Sequence, residues 1–472
     1  MNFEQIKAQV LQFFGFEPTS DQNQAIDEIL QFLLSREDDE VFVLKGYAGT
    51  GKTTLVSALI KLFDKMKVPS VLMAPTGRAA KVFASYSQHQ ATTIHKKIYR
   101  QKVVTGDYGG FCLGENLHDH CIFFVDEASM IGNSSEDASM FGSGRLLEDL
   151  LKYVYCGRHC KLVLMGDTAQ LPPVGKDLSP ALDKDHLQSL GFQVRMVELR
   201  QVLRQQGDSL LLENASALRE SITEYDVFDL PQIRVNKLDV LRLQGEDLVD
   251  TISASYHQVG MDECKIICRS NKRAVLFNQG IRARVLYKED ELSSGDLLMV
   301  AKNNYFWSQA YKEIPFIANG DLLEVLRVRR TMEMYGFRFA DLDVRFMDSD
   351  WEISVRVLLD TLTAEAPALD AASQERLYQA VLEDYAYCHN KKELFENLRK
   401  DPWLNALQVK YGYAMTCHKS QGGQWKHIFL DQGYVQEDWM GLDYYRWLYT
   451  AITRATEKIY LVNFQDDFIA QG

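Results

Sequence analysis

The sequence predicts an α/β fold built around parallel β-sheets. Short apolar runs alternate with stretches of helical periodicity at residues 41–45, 70–74, 121–125 and 161–165. This is the pattern of buried parallel strands joined by helices. Gly46, Asp126 and Gly166 directly follow three of these runs. Because open α/β sheets bind ligands at the carboxyl ends of their strands, the first half of the chain is predicted to be a ligand-binding α/β domain.

A second α/β unit is predicted in two separate pieces. An apolar run at 264–268 precedes helical sequence at 271–286, and further strands lie around 428–430 and 459–462. Between the pieces, strand-like alternation gives way to charged helical sequence at 373–399. The alternating segments are 297–300, 322–328 and 351–357. We therefore predict an inserted β-rich domain with a helical extension, which is either a partner-docking arm or an inert brace.

The length and composition fit a multidomain globular enzyme. The 472 residues exceed what one hydrophobic core usually serves, and 46% hydrophobic with 25% charged residues is an ordinary globular balance. A net charge of -13 argues against a protein that coats nucleic acid by general attraction. By charge alone, an acidic enzyme without such a partner is favoured, and any nucleic-acid site must be a local groove.

The eight cysteines do not predict a metal or disulfide framework, because none forms a C-x-x-C pair. Cys156, His159 and Cys160 lie close in sequence but lack a fourth ligand at zinc-finger spacing. The N-terminus lacks the pattern of a signal peptide, and no apolar stretch reaches the roughly 20 residues that cross a bilayer. We expect a cytoplasmic protein with no membrane partner.

Residues 46–53, GYAGTGKT, fit the P-loop pattern and directly follow the predicted strand at 41–45. In such a loop, backbone N–H groups and the next helix's N-terminus bind phosphates, Lys52 reaches the β and γ phosphates, and the hydroxyl of Thr53 binds Mg²⁺. ATP and Mg²⁺ are therefore the predicted cofactors. The candidate nucleotide contacts in this segment are Gly46, Ala48, Gly49, Thr50, Gly51, Lys52, Thr53 and Thr54.

Asp126 and Glu127 end the apolar run at 121–125. An Asp-Glu pair after a strand is common and by itself is more often a solvated strand end. Beside a P-loop, Asp126 is predicted to hold Mg²⁺, and Glu127 to orient and deprotonate the attacking water.

The P-loop, the DEAS run at 126–129 and the GDTAQLPPV run at 166–174 occur in this order. Together they resemble the superfamily-1 helicases, and specifically the RecD-like branch (superfamily 1B), whose members move 5′ to 3′. The resemblance covers the chain from Gln22 to about Val462. It implies RecA-like domain 1A at 1–95 and 119–192, small hairpin insertion 1B at 96–118, RecA-like domain 2A at 193–292 and 405–472, and SH3-like domain 2B with its helical extension at 293–404.

The resemblance also implies roles at the nucleotide. Gln22, in the TSDQ run at 19–22, matches the glutamine that reads adenine, although Ser20 or Asp21 would also cap the helix that follows. Gln170 resembles the γ-phosphate sensor. Arg204 matches the arginine contributed by the second domain, although Leu203 stands where the family often has a stacking aromatic. Arg454, in the LYTAITRA run at 448–455, matches the arginine finger. A further candidate nucleotide contact is Gly422.

A nucleic-acid track is implied by four further motifs, in which small polar groups contact sugar and phosphate without reading sequence. Its candidate residues are Pro75, Thr76, Arg78, Thr92, His95, Asn271, Thr416, His418, Lys419 and Ser420. Gln424 stands where some relatives carry a ribose-binding glutamate. The hairpin at 96–118 resembles the element that splits the duplex, with Tyr108 or Phe111 as its wedge.

These features predict an ATP-dependent DNA helicase that moves 5′ to 3′ on single-stranded DNA and opens tailed or forked duplexes, in DNA repair or recombination. An RNA-directed motor of the same family is one alternative, because contacts to sugar and phosphate do not separate DNA from RNA unless a 2′-OH is read. A DNA-dependent ATPase subunit of a recombination or nuclease complex is another. No nuclease carboxylate cluster is visible in the sequence.

Overall fold

The computed structural model describes residues 2–101, 111–133, 143–173, 175–201, 209–224, 226, 227, 229–311, 314, 316–349, 351–388, 390–435 and 440–470. The helices are α1 (Phe3–Phe14), α2 (Ser20–Leu34), α3 (Lys52–Met66), α4 (Gly77–Ser87), α5 (Ile94–Ile98), α6 (Leu146–Tyr155), α7 (Lys184–Ser189), α8 (Leu210–Glu224), α9 (Leu248–Val259), α10 (Asn271–Arg284), α11 (Ala371–Asp384), α12 (Lys391–Lys400), α13 (Cys417–Ser420) and α14 (Leu442–Ile452). The strands are β1 (Glu40–Gly46), β2 (Ser70–Ala74), β3 (Ala91–Thr93), β4 (Tyr99–Gln101), β5 (Phe111–Leu113), β6 (Ile122–Val125), β7 (Lys161–Gly166), β8 (Gln193–Leu199), β9 (Val240–Leu243), β10 (Cys264–Cys268), β11 (Leu297–Val300), β12 (Leu322–Met334), β13 (Phe337–Phe346), β14 (Glu352–Leu358), β15 (Leu407–Tyr411), β16 (Ala414–Thr416), β17 (Trp425–Asp431) and β18 (Ala455–Val462).

The first sheet is parallel and has the strand order β3-β2-β6-β7-β1-β8. Its central strands are almost entirely buried, because apolar side chains project from both faces of the sheet and helices cover each face. The register pairs Lys45 with Gly166 across β1 and β7. This pairing brings the P-loop and the GDTAQLPP run to the same edge of the sheet.

A second parallel sheet has the order β16-β10-β17-β18-β9. Neighbouring strands β10 and β16 are separated in sequence by the inserted domain. That insertion is a closed barrel of β11 to β15. Two parallel sheets with a barrel inserted into the second confirm the predicted fold class, in which RecA-like domains carry an SH3-like insertion.

Two predicted domain boundaries are corrected by strand pairing. β8 begins at Gln193 but pairs with β1 in the first sheet, so the first domain continues past residue 192 to Leu199. β15 pairs with β11 and β14, so the barrel extends past residue 404 to Tyr411. Both strands lie where the chain passes from one domain to the next. Only their hydrogen-bonded pairing shows to which domain each strand belongs. The other boundaries stay predictions.

The helical extension packs on the barrel. Leu377 and Val381 of α11 and Leu398 of α12 form one buried cluster with Phe337 and Phe339 of β13. The extension thus braces the long β12–β13 hairpin with an apolar core of its own.

Among the described residues, no helix is long and apolar enough to cross a membrane.

Candidate nucleotide and nucleic-acid site

The P-loop connects β1 to α3 by a backbone path that requires glycine. Gly49 and Gly51 have φ angles of +78° and +81°, in the left-handed region that disfavours side chains. At Gly46, an added Cβ would lie 2.9 Å from both Lys52 Cγ and Thr50 Oγ1. The loop therefore closes tightly around the start of α3.

Lys52 points back into this loop. Its ammonium donates hydrogen bonds to the carbonyl oxygens of Gly46 and Tyr47, the second at 3.1 Å. Thr50 Oγ1 donates to the same Tyr47 carbonyl at 2.8 Å. The positive charge is thus held at the centre of the loop, where a phosphate would meet it together with the N-terminus of α3.

Gln22 joins the start of α2 to the P-loop. Its Oε1 accepts a hydrogen bond from the Thr19 N–H at 3.0 Å, and the Gln22 N–H donates to Thr19 Oγ1 at 3.3 Å, which forms a capping box. Its Nε2 donates to the Thr50 carbonyl at 2.9 Å, and the residue is fully buried. The cap is therefore Thr19 and not the predicted Ser20 or Asp21, which lie inside the first turn of α2. Adenine recognition by Gln22 stays a prediction.

Asp126 and Glu127 lie at the carboxyl end of β6. The Glu127 N–H donates to Asp126 Oδ1 at 2.9 Å, and Glu127 has a left-handed φ of +53°. Burial raises the pKa of both carboxyl groups, that of Glu127 to about 7, although the positive charges of Arg454 and Lys52 oppose the rise for Glu127. The pair therefore lies within electrostatic reach of the P-loop lysine.

The donor set at this end of the sheet fits Mg²⁺. The Thr53 hydroxyl, in the first turn of α3, and the Asp126 carboxylate are hard oxygen ligands. Mg²⁺ prefers such ligands and typically takes only one or two from the protein beside phosphate and water. Raised pKa values caused by burial are also what a cation would relieve.

The GDTAQLPP segment contacts the second domain directly. The Leu171 N–H donates to Thr450 Oγ1 at 2.9 Å, and Gln421 Nε2 donates to the Leu171 carbonyl at 2.7 Å. Gln170 is buried, and its Oε1 has no hydrogen-bond partner among the described residues. The predicted sensor thus lies beside a hydrogen-bonded contact between the two halves of the chain.

Arg454 is buried at 4% exposure, two residues after the end of α14. Its guanidinium donates to the Thr450 carbonyl at 3.0 Å, the Gly423 carbonyl at 3.2 Å and Thr453 Oγ1 at 3.1 Å. Its charge lowers the pKa of Glu127 against the effect of burial, so the guanidinium lies within electrostatic reach of the acidic pair. The other predicted arginine, Arg204, lies outside the described residues.

Two side chains near the P-loop were not predicted as site residues. Arg219 of α8 places its guanidinium over the ring of Tyr47, 5.0 Å from the ring centroid. The Tyr449 hydroxyl hydrogen-bonds to Ala48 and Asp167. Arg219 belongs to no motif, so only the fold identifies it, whereas Tyr449 lies inside the LYTAITRA run and its motif position was a usable signal.

The start of α4 carries three of the predicted nucleic-acid contacts. Thr76 caps the helix, accepting a hydrogen bond from the Ala79 N–H at 3.2 Å, and Pro75 precedes it. Arg78 instead turns toward the second sheet: its guanidinium lies 4.2 Å from the Trp425 ring centroid and donates to the Gln424 carbonyl at 3.3 Å. The structure therefore places Arg78 in a contact between the two halves.

The remaining track residues have mixed surroundings. Thr92 Oγ1 is buried and lacks a hydrogen-bond partner among the described residues, and Asn271 opens α10. Ser420 is buried, and its hydroxyl donates to the Cys417 carbonyl at 2.7 Å. The other four motif residues lie at exposed or partly exposed positions: His95, Thr416, His418 and Lys419.

Gly422 packs against α4. A Cβ added there would lie 2.7 Å from Ala79 Cβ, and its φ is +72°. Its nucleotide contact stays a prediction. The proposed wedge residue Tyr108 lies outside the described residues, as does the side chain of Phe111.

The barrel covers the first turn of α4. A Cβ added at Gly77 would lie 3.0 Å from Asp321 Oδ1 and from Ala318 Cβ. Asp321 is 4% exposed, directly after the Asn319–Gly320 turn, and Lys81 Nζ lies 3.9 Å from its Oδ1. Burial raises the pKa of Asp321 to about 6.

Replacing Asp321 with Asn is expected to stabilise the protein at neutral pH. The folded-state pKa of about 6 exceeds the reference value of 3.8, so the folded state binds more protons between these values and its stability falls as pH rises through this window. Two pKa units correspond to a gain of about 3 kcal/mol in the free energy of unfolding at pH 7.5, and this gain should shrink as pH falls toward 4.

Urea unfolding at pH 7.5 and at pH 4 measures the gain. Asp348→Asn is the control, since Asp348 contacts the same Lys81 at 3.1 Å; an equal gain at both pH values for Asp321→Asn contradicts the expectation.

Comparisons with known proteins agree with this geometry. Residues 17–230 match an AAA domain family, and residues 411–462 match the UvrD-like helicase C-terminal domain family. The chain is 26% identical over 438 residues to the ATP-dependent RecD2 DNA helicase of Deinococcus radiodurans, covering 89% of this chain and 46% of that protein. It is 22% identical over 435 residues to the ATP-dependent DNA helicase dda of Enterobacteria phage T4, covering 87% and 92%. The chain thus spans about half of the first relative and most of the second.

A solved structure of the Bacteroides Pif1 helicase with ADP-AlF3 and single-stranded DNA covers 97% of this chain and 95% of that one, at 16% identity and a TM-score of 0.49. The P-loop, the acidic pair and the two parallel sheets define the class of P-loop ATPases with two RecA-like domains. Within that class, the chain is similar to superfamily-1B, RecD-like helicases in its matched domains and relatives.

Proposed function

We propose that this chain is an ATP-dependent DNA helicase that moves 5′ to 3′ on single-stranded DNA and unwinds duplex DNA. The observation that carries the proposal is the contact at Leu171, in the segment after β7. Its N–H donates to Thr450 and its carbonyl accepts from Gln421, and both partners belong to the second domain. Gln421 directly follows Ser420 of the proposed DNA track, and Thr450 precedes Arg454. One segment therefore links the nucleotide side to the nucleic-acid side. The relatives' activity on DNA supports DNA over RNA as the track.

The nucleotide binds to the P-loop, on the first-domain side of the cleft between the two RecA-like domains. The Lys52 ammonium and the loop N–H groups attract and orient the phosphates, and Thr53 and Asp126 would hold Mg²⁺. When bound, Mg²⁺ neutralises charge on the phosphate oxygens. The Glu127 carboxylate accepts a proton from the attacking water, and the Arg454 guanidinium balances the charge that develops on the transferred group.

Movement follows from closure and opening of the cleft. Each domain contributes its own contacts to the strand: Pro75 and Thr76, ahead of α4, on one side, and the N-termini of α10 and α13 on the other. Closing the cleft around ATP brings the two sets together, and opening after hydrolysis separates them. Alternating grip by the two sets advances the protein along the strand.

The decisive experiment follows unwinding of labelled duplexes that carry a 5′ or a 3′ single-stranded tail, with ATP and Mg²⁺. We expect only the 5′-tailed DNA to open and a Lys52→Ala variant to be inactive. Opening of the 3′-tailed DNA alone refutes the polarity. DNA-stimulated ATP hydrolysis without unwinding indicates a translocase or a subunit of a larger complex, and selective activity on RNA-tailed substrates indicates an RNA motor.

A further inference from the structure

Tyr449 reaches across the molecule to the P-loop. Its ring is buried in α14 of the second domain, at 1% exposure. Its hydroxyl donates to Asp167 Oδ2 at 2.7 Å and accepts a hydrogen bond from the Ala48 N–H at 3.0 Å. Burial raises its pKa well above the ordinary value, and the negative charge of Asp167 adds to the rise. The phenol therefore keeps its proton, as donation to a carboxylate requires.

Both partners of this hydroxyl belong to nucleotide-site segments of the first domain. Ala48 is part of the phosphate-binding loop, and Asp167 begins the segment that carries Gln170. The Asp167 carboxylate is fixed from its other oxygen, because Oδ1 accepts the Ala169 N–H at 2.9 Å. The Tyr449 hydroxyl thus links two loops of the first domain, the P-loop and the loop after β7, to one residue of the second domain.

Tyr449 also has a short, rigid connection to Arg454. Thr450, the next residue, accepts the Leu171 N–H through its hydroxyl and the Arg454 guanidinium through its carbonyl. The six residues from Tyr449 to Arg454 include the last turn of α14. Because a helical turn is stiff, the place where Tyr449 meets the P-loop sets where Arg454 lies relative to it.

We propose that Tyr449 is a positioning residue for ATP hydrolysis: its hydroxyl fixes α14 against Ala48 and Asp167 and so holds Arg454 at the distance that catalysis requires. This inference rests on the proposed function, since it assigns Arg454 a role at the transition state. Tyr449 itself acts through Arg454 and through the alignment of the two domains. ATP affinity is set mainly by the P-loop and should depend little on this hydroxyl.

The test is Tyr449→Phe, which removes the hydroxyl and keeps the ring. We expect the kcat of single-stranded-DNA-stimulated ATP hydrolysis to fall by about 10- to 100-fold, as small misplacements of catalytic groups do, while KM for ATP stays within about threefold. Tyr445→Phe is the matched control on the same helix, because its hydroxyl donates to the Asp229 carbonyl at 2.8 Å, a contact outside the nucleotide site. The control should hydrolyse ATP at the wild-type rate.

A double-mutant cycle separates positioning from general damage. If Tyr449 acts through Arg454, adding Tyr449→Phe to an Arg454→Ala background should reduce single-turnover hydrolysis by less than about threefold. Full additivity overturns the inference, and so does a kcat for Tyr449→Phe equal to that of the wild type. If Tyr449→Phe does not fold, Thr450→Val tests the same connection by removing the acceptor for Leu171, and an unchanged kcat in that variant also overturns it.

The outcomes distinguish this inference from the proposed function. A wild-type protein that shows DNA-stimulated hydrolysis and unwinding, but no effect of Tyr449→Phe, contradicts the role of Tyr449 alone. A wild-type protein that does not hydrolyse ATP contradicts both.

Discussion

Arg454→Ala is expected to reduce the kcat of DNA-stimulated ATP hydrolysis by about a thousandfold or more, the effect of removing an arginine finger from a phosphoryl-transfer enzyme. The guanidinium is buried and lies within electrostatic reach of Glu127. In this low-dielectric setting, its charge acts more strongly on a developing phosphate charge than it would in water. Because it acts on the transition state, ATP binding should change by no more than a few-fold.

Steady-state hydrolysis with saturating oligothymidylate measures kcat, and titration with a fluorescent ATP analogue measures binding. Removing Arg454 also removes three hydrogen bonds, so thermal unfolding must show that the variant is folded at the assay temperature. Arg242→Ala is the control, since Arg242 is an exposed arginine of the same domain that pairs with Asp466. A loss of less than tenfold in Arg454→Ala would place the transition-state arginine elsewhere, with Arg204 as the next candidate.

The sequence predicted the central strands closely because their signal is local. β1, β2, β6 and β7 lie within one residue of the predicted runs. Each is a short apolar segment buried on both faces and followed by a motif. The weakly patterned strands were missed. β8 carries charged Arg195, which is neutralised by Glu40 of β1, with Nε and Oε1 2.6 Å apart. Such a strand looks like a linker until its pairing partner is known.

Contacts between the halves of the chain were beyond local reasoning. Ala48 and Tyr449 are 401 positions apart, and nothing in periodicity or composition joins them. Arg78 illustrates the same limit. Its motif predicted a phosphate contact, whereas the packing of the second domain places Trp425 against it. Motif order predicts which residues form the site, and tertiary packing decides which of them face each other.

Glu127→Gln is expected to lower the kcat for ATP hydrolysis by about a hundred- to ten-thousandfold, the range that general bases contribute. The substitution keeps the shape of the side chain but removes its ability to accept a proton. ATP and DNA binding should persist, because neither requires proton transfer.

Comparison with Asp126→Asn separates the two acidic roles. Asp126 is the proposed Mg²⁺ ligand, so Asp126→Asn should raise the Mg²⁺ concentration that gives half-maximal hydrolysis. Glu127→Gln should leave the Mg²⁺ concentration for half-maximal hydrolysis unchanged while kcat falls by the factor given above. Glu457→Gln serves as the control for the chemical change alone, because Glu457 is an exposed glutamate of β18 that pairs with Lys426. If Glu127→Gln instead shifts the Mg²⁺ requirement and retains kcat at saturating Mg²⁺, the two carboxylates share metal binding and the water is activated by another group.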